Sequence, residues 1–270
     1  MIYMKKLSSL VIKKLVLLLL SCIKKVSKLK PAIAFSGGLD STTLAVCAKK
    51  FYKPILITLA ADNQSQDLFY AKKISKELSL PLKICFLNKK KILQVYKKIW
   101  KIKTGTLIDM EIMISVFFIC KKAQELGCNA VIFGSGAEEL FVGYKKYFIA
   151  LEEGKNLEQL LNMELETLPK RDILRIKKVA NLFKIKAIFP FLDKTFVRQV
   201  KSIPLNYHIN PHLSKPVLRK IAKILQVPYL VLSRQKKALQ YGSNIHKLFL
   251  KLAKNKKIYT LPPRPPFVYH

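Results

Sequence analysis

The stretch AIAFSGGLDSTTLAV, residues 32–46, leaves this chain the fewest options for folding. Ala32, Ile33, Ala34 and Phe35 form a short apolar run of strand type, and Gly37 and Gly38 end it with a turn that residues carrying a Cβ resist. From Asp40 onward the sequence Ser-Thr-Thr-Leu-Ala-Val-Cys-Ala-Lys-Lys suits a helix, with polar residues first and lysines last. A strand, a glycine turn and a helix N-terminus gather free backbone N–H groups and the positive end of a helix dipole around one point, which favours an anion. The spacing departs from the Walker pattern, which needs four residues between its glycines and a Lys-Ser/Thr after the second. On the residues alone two readings stand: an anion site, or a tight β-to-α turn in an α/β core.

The pattern repeats along the chain. Apolar runs at 32–35, 55–59, 82–87 and 130–133 read as strands, and 42–51, 67–78, 90–101 and 109–125 as the helices between them. This alternation predicts an α/β protein with a doubly wound parallel sheet and ligands at the carboxyl ends of its strands. From residue 151 the pattern reads as helices only, closing on PPRPPF, a polyproline-like tail. Ahead of the first strand, residues 7–29 have an apolar centre between lysines. That centre falls far short of the roughly 20 apolar residues a membrane span needs, so a helix packed against the domain is expected, without membrane insertion. The organisation expected is a basic N-terminal helix over 1–31, a domain over 32–257 and a Pro-rich tail over 258–270.

Charge sets a second constraint. Fifty basic residues against 16 acidic ones give a formal charge of +34, which invites RNA, another polyanion or an acidic partner. Yet 44 of the 50 are lysine, whereas specific nucleic-acid contacts lean on the planar fork of arginine. No Asp or Glu precedes Asp40 and none follows Asp193. In so basic a chain, acids beside glycines and apolar runs fit a bound cation. The five cysteines, Cys22, Cys47, Cys85, Cys120 and Cys128, form no C-x-x-C pair. This argues against structural zinc or an iron–sulfur cluster and fits core packing in a reducing cytoplasm.

Ser36-Gly37-Gly38-Leu39-Asp40-Ser41 resembles the pyrophosphate loop of the N-type ATP pyrophosphatases, enzymes that activate a substrate by adenylation. Three later segments narrow the resemblance. FGSGAEELFVGY (133–144), RDILRIKKVANLFKIKAIFPFLD (171–193) and SRQKKALQYGSNI (233–245) are similar, in order, to segments of the synthetase domain of asparagine synthetases. SQDLFYAKKISKELSLPLK (65–83) fits the Ser-Pro-Asp helix of that family. The resemblance implies an adenine nucleotide alpha hydrolase-like fold of HUP type, ATP as substrate and Mg2+ as cofactor. By position, it implies that Asp40 and Glu138 hold magnesium. Ser36, Gly37, Gly38, Ser41 and Lys236 would bind pyrophosphate, and Ala34, Ala60 and Gly134 would line the nucleotide. Asp172 and Arg175 match polar positions at the back of the site.

Two departures stand out. The family's glutamate between the two glycines, placed to assist attack on the adenylate, is Ser135 here, and a serine is no base at neutral pH without a partner. The family's Glu-Ala-Arg is Lys186-Ala187-Ile188. The expected reaction is amide formation on a carboxylate such as aspartate, by way of an acyl-adenylate, with catalytic roles for Lys236, Ser135 and Glu138. The sequence ahead of Ala32 shows no glutaminase domain, so ammonia is expected free or from a separate glutaminase subunit. A homodimer is compatible with the resemblance. The rival readings are an RNA-modifying adenylating enzyme of the same superfamily, and a scaffold that keeps the fold without the reaction.

Overall fold

The computed structural model describes residues 7–210, 212–233 and 242–262. The four expected strands form: β1 (Ala32–Ala34), β2 (Leu56–Ala60), β3 (Leu82–Phe86) and β4 (Ala130–Ile132). With a fifth strand, β5 (Lys186–Ile188), they make one sheet in the order β3-β2-β1-β4-β5, every pairing parallel. The helices are α1 (Ser9–Val26), α2 (Leu39–Lys49), α3 (Gln66–Glu77), α4 (Lys89–Ile102) and α5 (Leu107–Glu125). After β4 come α6 (Ala137–Leu140), α7 (Lys145–Glu152), α8 (Leu157–Thr167), α9 (Asp172–Asn181), α10 (Lys194–Lys201) and α11 (Pro216–Ile224). From β1 the chain winds outward to β3 and then returns to the other side of β1. The crevice that binds ligands in such sheets therefore opens between the carboxyl ends of β1 and β4.

β5 corrects the expectation of helices alone beyond residue 151. Its three residues carry no alternation of their own. Pairing is imposed by the open edge of β4: Lys186 N–H donates to the Asn129 carbonyl and Phe133 N–H to that of Ile188, both at 2.9 Å. Edge pairing of this kind depends on a partner 56 residues away in sequence, as in the Ala130 and Lys186 register, and no local pattern carries it.

Alternate strand residues feed two cores. Ile33, Leu56 and Ile132 face one layer, where Leu15, Leu19 and Ile23 of α1 are fully buried with Leu44 of α2 and Leu218 of α11. Ala32, Ile57, Leu59 and Val131 face the other, against Met113, Ile114 and Cys120 of α5 and Val179 of α9. The expected helix over 7–29 is thus α1 with a 3-10 turn at Ser27–Leu29, and its apolar stripe closes one face of the sheet. Each such side chain contributes roughly 1.5–3 kcal/mol on burial. α5 is buried on nearly every side, begun by a capping box between Thr106 and Asp109, and forms the centre of the second layer. All five cysteines are buried and unpaired. Burial pushes the thiols of Cys47 and Cys120 up to about 12, so they are core side chains, not nucleophiles. Among the described residues no helix is long and apolar enough to cross a membrane. Of the expected Pro-rich tail, residues 263–270 lie outside the described residues.

Candidate active site

β1 ends under the first loop of the site. Gly38 caps α2 in extended conformation, so the free N–H groups of its first turn face the crevice. Gly37 has φ +66, and a Cβ there would stand 2.7 Å from the backbone nitrogen of Ala71. No other residue fits that turn without strain. The serines brace it. Ser36 Oγ accepts from Gly38 N–H at 3.3 Å, while Ser41 Oγ accepts from Ser36 N–H at 3.3 Å and donates to the Gly38 carbonyl at 3.3 Å.

Across the crevice β4 runs through Gly134, Ser135 and Gly136 into α6, which carries Glu138. Lys215 joins the two sides. Its Nζ lies 2.7 Å from both Asp40 oxygens and 2.7 Å from Glu138 Oε1. Lys215 is 1% exposed and stands in left-handed conformation, φ 56, just ahead of Pro216, the first residue of α11. The packing leaves no slack: a Cβ on Gly143 would overlap both Glu138 Oε2 and Lys215 Cε. Burial pulls the Lys215 ammonium below its ordinary range and the Asp40 carboxylate pulls it back up. Nothing in the sequence around Lys215 marks it. One lysine among 44 carries no signal until the fold brings it to two carboxylates.

A second ion cluster lies at the back. The Arg175 guanidinium, its side chain 6% exposed, is 2.9 Å from Asp109 Oδ1 and 2.6 Å from Asp172 Oδ1, tying α5 to α9. Glu139 beside it is buried, and burial with the neighbouring Asp172 and Glu164 raises its carboxyl above the ordinary range. These walls enclose a cavity of about 950 Å³. Ala34, Ser36, Asp40, Ser41, Gly134, Ser135, Glu138 and Asp172 all line it. Gly37 and Gly38 shape the turn beneath, and Arg175 holds Asp109 and Asp172 from behind. Ala60 is fully buried at the end of β2, where Ile57 and Leu59 are the residues that line the wall instead. Lys186 is exposed at the start of β5, on the edge of the sheet, so of the two departures only Ser135 faces the cavity. Lys236 lies outside the described residues.

Among the described residues no group of three His, Cys, Asp or Glu converges as a closed metal cage. Two hard carboxylates, Asp40 and Glu138, do converge on one cationic point at 2.7 Å. One or two carboxylates completed by phosphate oxygens and water is how Mg2+ is ordinarily held beside a nucleotide. The residues fit a shared metal–nucleotide site and not a resident ion alone.

The profile of the asparagine synthase family matches residues 23–158 and 149–257. The chain belongs to the asparagine synthase family. The crevice between β1 and β4 lies within the matched span. Among curated relatives, a Methanocaldococcus jannaschii protein named as an asparagine synthetase (glutamine-hydrolyzing) is 29% identical over 87% of this chain and 50% of its own length. Asparagine synthetase (glutamine-hydrolyzing) 1 of Arabidopsis thaliana is 29% identical over 78% of this chain and 39% of its own. Asparagine synthetase (glutamine-hydrolyzing) of Zea mays is 26% identical over 78% of this chain and 39% of its own. The chain thus spans half or less of the length of these asparagine synthetases.

Proposed function

We propose that this chain is an ATP-dependent, AMP-forming amide ligase with aspartate as its default substrate. The observation that carries the reading is the convergence of Asp40 and Glu138, from opposite sides of the switch point, on Lys215 beside the Ser36–Ser41 loop. ATP would lie with its β,γ-phosphates on that loop and its base toward the apolar wall. The substrate carboxylate attacks the α-phosphorus, giving an acyl-adenylate and pyrophosphate. Ammonia then attacks the acyl carbon, giving amide and AMP. Negative charge accumulates on the leaving pyrophosphate; the amide donors of α2 and the hydroxyls of Ser36 and Ser41 would offer hydrogen bonds to it, and the buried Lys215 ammonium would add positive charge from behind Asp40 and Glu138. Asp40 and Glu138 would hold Mg2+, which supplies further positive charge to the leaving group. Asp172, fixed by Arg175, and Glu139 offer acceptors to the ammonium group of an amino-acid substrate.

Ammonia would arrive free or from a separate glutaminase subunit, as the glutamine-hydrolyzing relatives suggest, in a cytoplasmic setting and with a homodimer as one assembly. The test is ATP–pyrophosphate exchange screened across amino acids, with and without RNA. Aspartate should switch exchange on, and ammonia should then yield amide and AMP in equal amounts. Turnover by this chain alone with glutamine, but not with ammonia, contradicts the proposal. A second reading, an RNA-modifying adenylase, rests on the charge of +34. Exchange that needs RNA and no amino acid would establish it.

A further inference from the structure

Four histidines are present, and among the described residues only His246 lines the cavity. Its Nδ1 is 2.7 Å from Oε1 of Glu111, a carboxylate on α5 that is 0% exposed among the fully buried Met110, Met113 and Ile114. The second Glu111 oxygen, Oε2, is buried with no hydrogen-bond partner. Burial pushes the Glu111 carboxyl up and the His246 contact pulls it down. A packing role at such a position is served at less cost by an apolar side chain. The polar pair is better explained by what it does to the ring, fixing its tautomer and its edge toward the cavity.

His246 lies in the first turn of a helix, Ile245–Lys254, and the residues just ahead of that helix are clamped to the end of β2. Ala61 N–H, just past β2, donates to the Ser243 carbonyl at 2.9 Å, and the Asn244 amide donates to the Asp62 carboxylate at 3.1 Å. The apolar wall of the cavity comes from the same two elements, Ile57 and Leu59 of β2 and Ile112 and Val116 of α5. Phosphate donors lie elsewhere, on the Ser36–Ser41 loop. The wall, the imidazole and the Ser36–Ser41 loop line one cavity, the combination that an apolar-faced base with polar edges and a phosphate tail requires. We infer that His246, oriented by Glu111, is a nucleoside-binding residue that hydrogen-bonds the base or ribose of ATP, with Glu111 as its positioning residue. The inference rests on the ATP reading of the cavity.

The experiment measures equilibrium binding of ATP and of inorganic tripolyphosphate, both with Mg2+ and without any amino acid, so the amide chemistry does not enter. In His246→Ala the ATP affinity should fall about tenfold, one hydrogen bond's worth, with tripolyphosphate binding within about twofold of the parent. Glu111→Gln should show the same selectivity for ATP with a smaller loss. An unchanged ATP affinity overturns the inference. So does an equal loss for both ligands, which marks a merely structural pair. Should His246→Ala fail to fold, His246→Gln carries the same comparison. A parent protein that binds tripolyphosphate and ATP equally well overturns the inference while leaving the phosphate loop intact. One that binds neither overturns the ATP reading itself.

Discussion

Lys215 holds together two carboxylates that repel each other without it. Replacing it by alanine leaves half-buried Asp40 and buried Glu138 without their shared counter-charge, a change of the kind that costs about 3–5 kcal/mol for a buried pair. The expected outcome is a urea midpoint lowered accordingly, loss of pyrophosphate exchange, and a larger thermal shift on adding Mg2+ than in the parent, because a divalent ion can occupy the vacated point. Gly37→Ala should also abolish exchange. The left-handed turn and the Tyr70–Ala71 backbone at 2.7 Å admit no methyl group, so the loop must move to accept one. A third residue acts on stability alone. His208 is 4% exposed beside Phe141, and burial lowers its imidazole from 6.5 to about 4. The unfolded chain therefore binds the proton that the folded chain refuses. Stability is complete above pH 6.5 and drains away as pH falls toward 4, by on the order of 3 kcal/mol over the window. His208→Phe should flatten that slope in unfolding titrations. At this scale the sequence exposed what is local. Ser36–Ser41 could be read because turn geometry and glycine placement are written in six consecutive residues. Lys215 meets Asp40 across 175 positions, with 43 other lysines to hide it.

Between elements the ion cluster of Arg175 is the sensitive joint. It couples the first turn of α5, through Asp109, to the first turn of α9, through Asp172, and both acids also line the cavity. Arg175→Leu strands two carboxylates and should lower stability by about 3 kcal/mol, while raising the KM for the amino acid more than that for ATP. Replacing Arg175 and Asp109 together by leucines should recover much of the stability without restoring the amino-acid KM, as unfolding curves and exchange kinetics on the two variants would show. Failure of the double variant to recover would mean the cluster acts through packing and not through charge. The strands and helices up to α5 were legible because apolar runs and amphipathic stretches alternate at lengths that sequence can register. β5 was not, since three residues at a sheet edge take their conformation from β4. The α5–α9 joint was half legible: Asp172 and Arg175 belong to a motif, whereas in the sequence Asp109 reads only as the first residue of a helix over 109–125.

At the scale of the whole chain the charge of +34 is the property that the site does not use. Acids are absent from α1, α10 and α11, α1 packs against both of the others on one face of the sheet, and the lysines of these helices are exposed. The phosphate loop, by contrast, lies at the carboxyl end of β1. A polyanion held on lysine points should bind without sequence preference, and its affinity should fall by orders of magnitude between about 50 and 200 mM salt through counterion release. The ligase reading requires that such binding leave chemistry alone. Titrating homopolymer RNA against the protein at low salt should give association in filter binding or anisotropy. The aspartate-dependent exchange rate should stay unchanged at saturation, apart from losses that high salt also removes. If RNA instead raises pyrophosphate release and the amino acid does not, the charge belongs to the substrate. The cavity at the switch point would then serve a base and not a carboxylate.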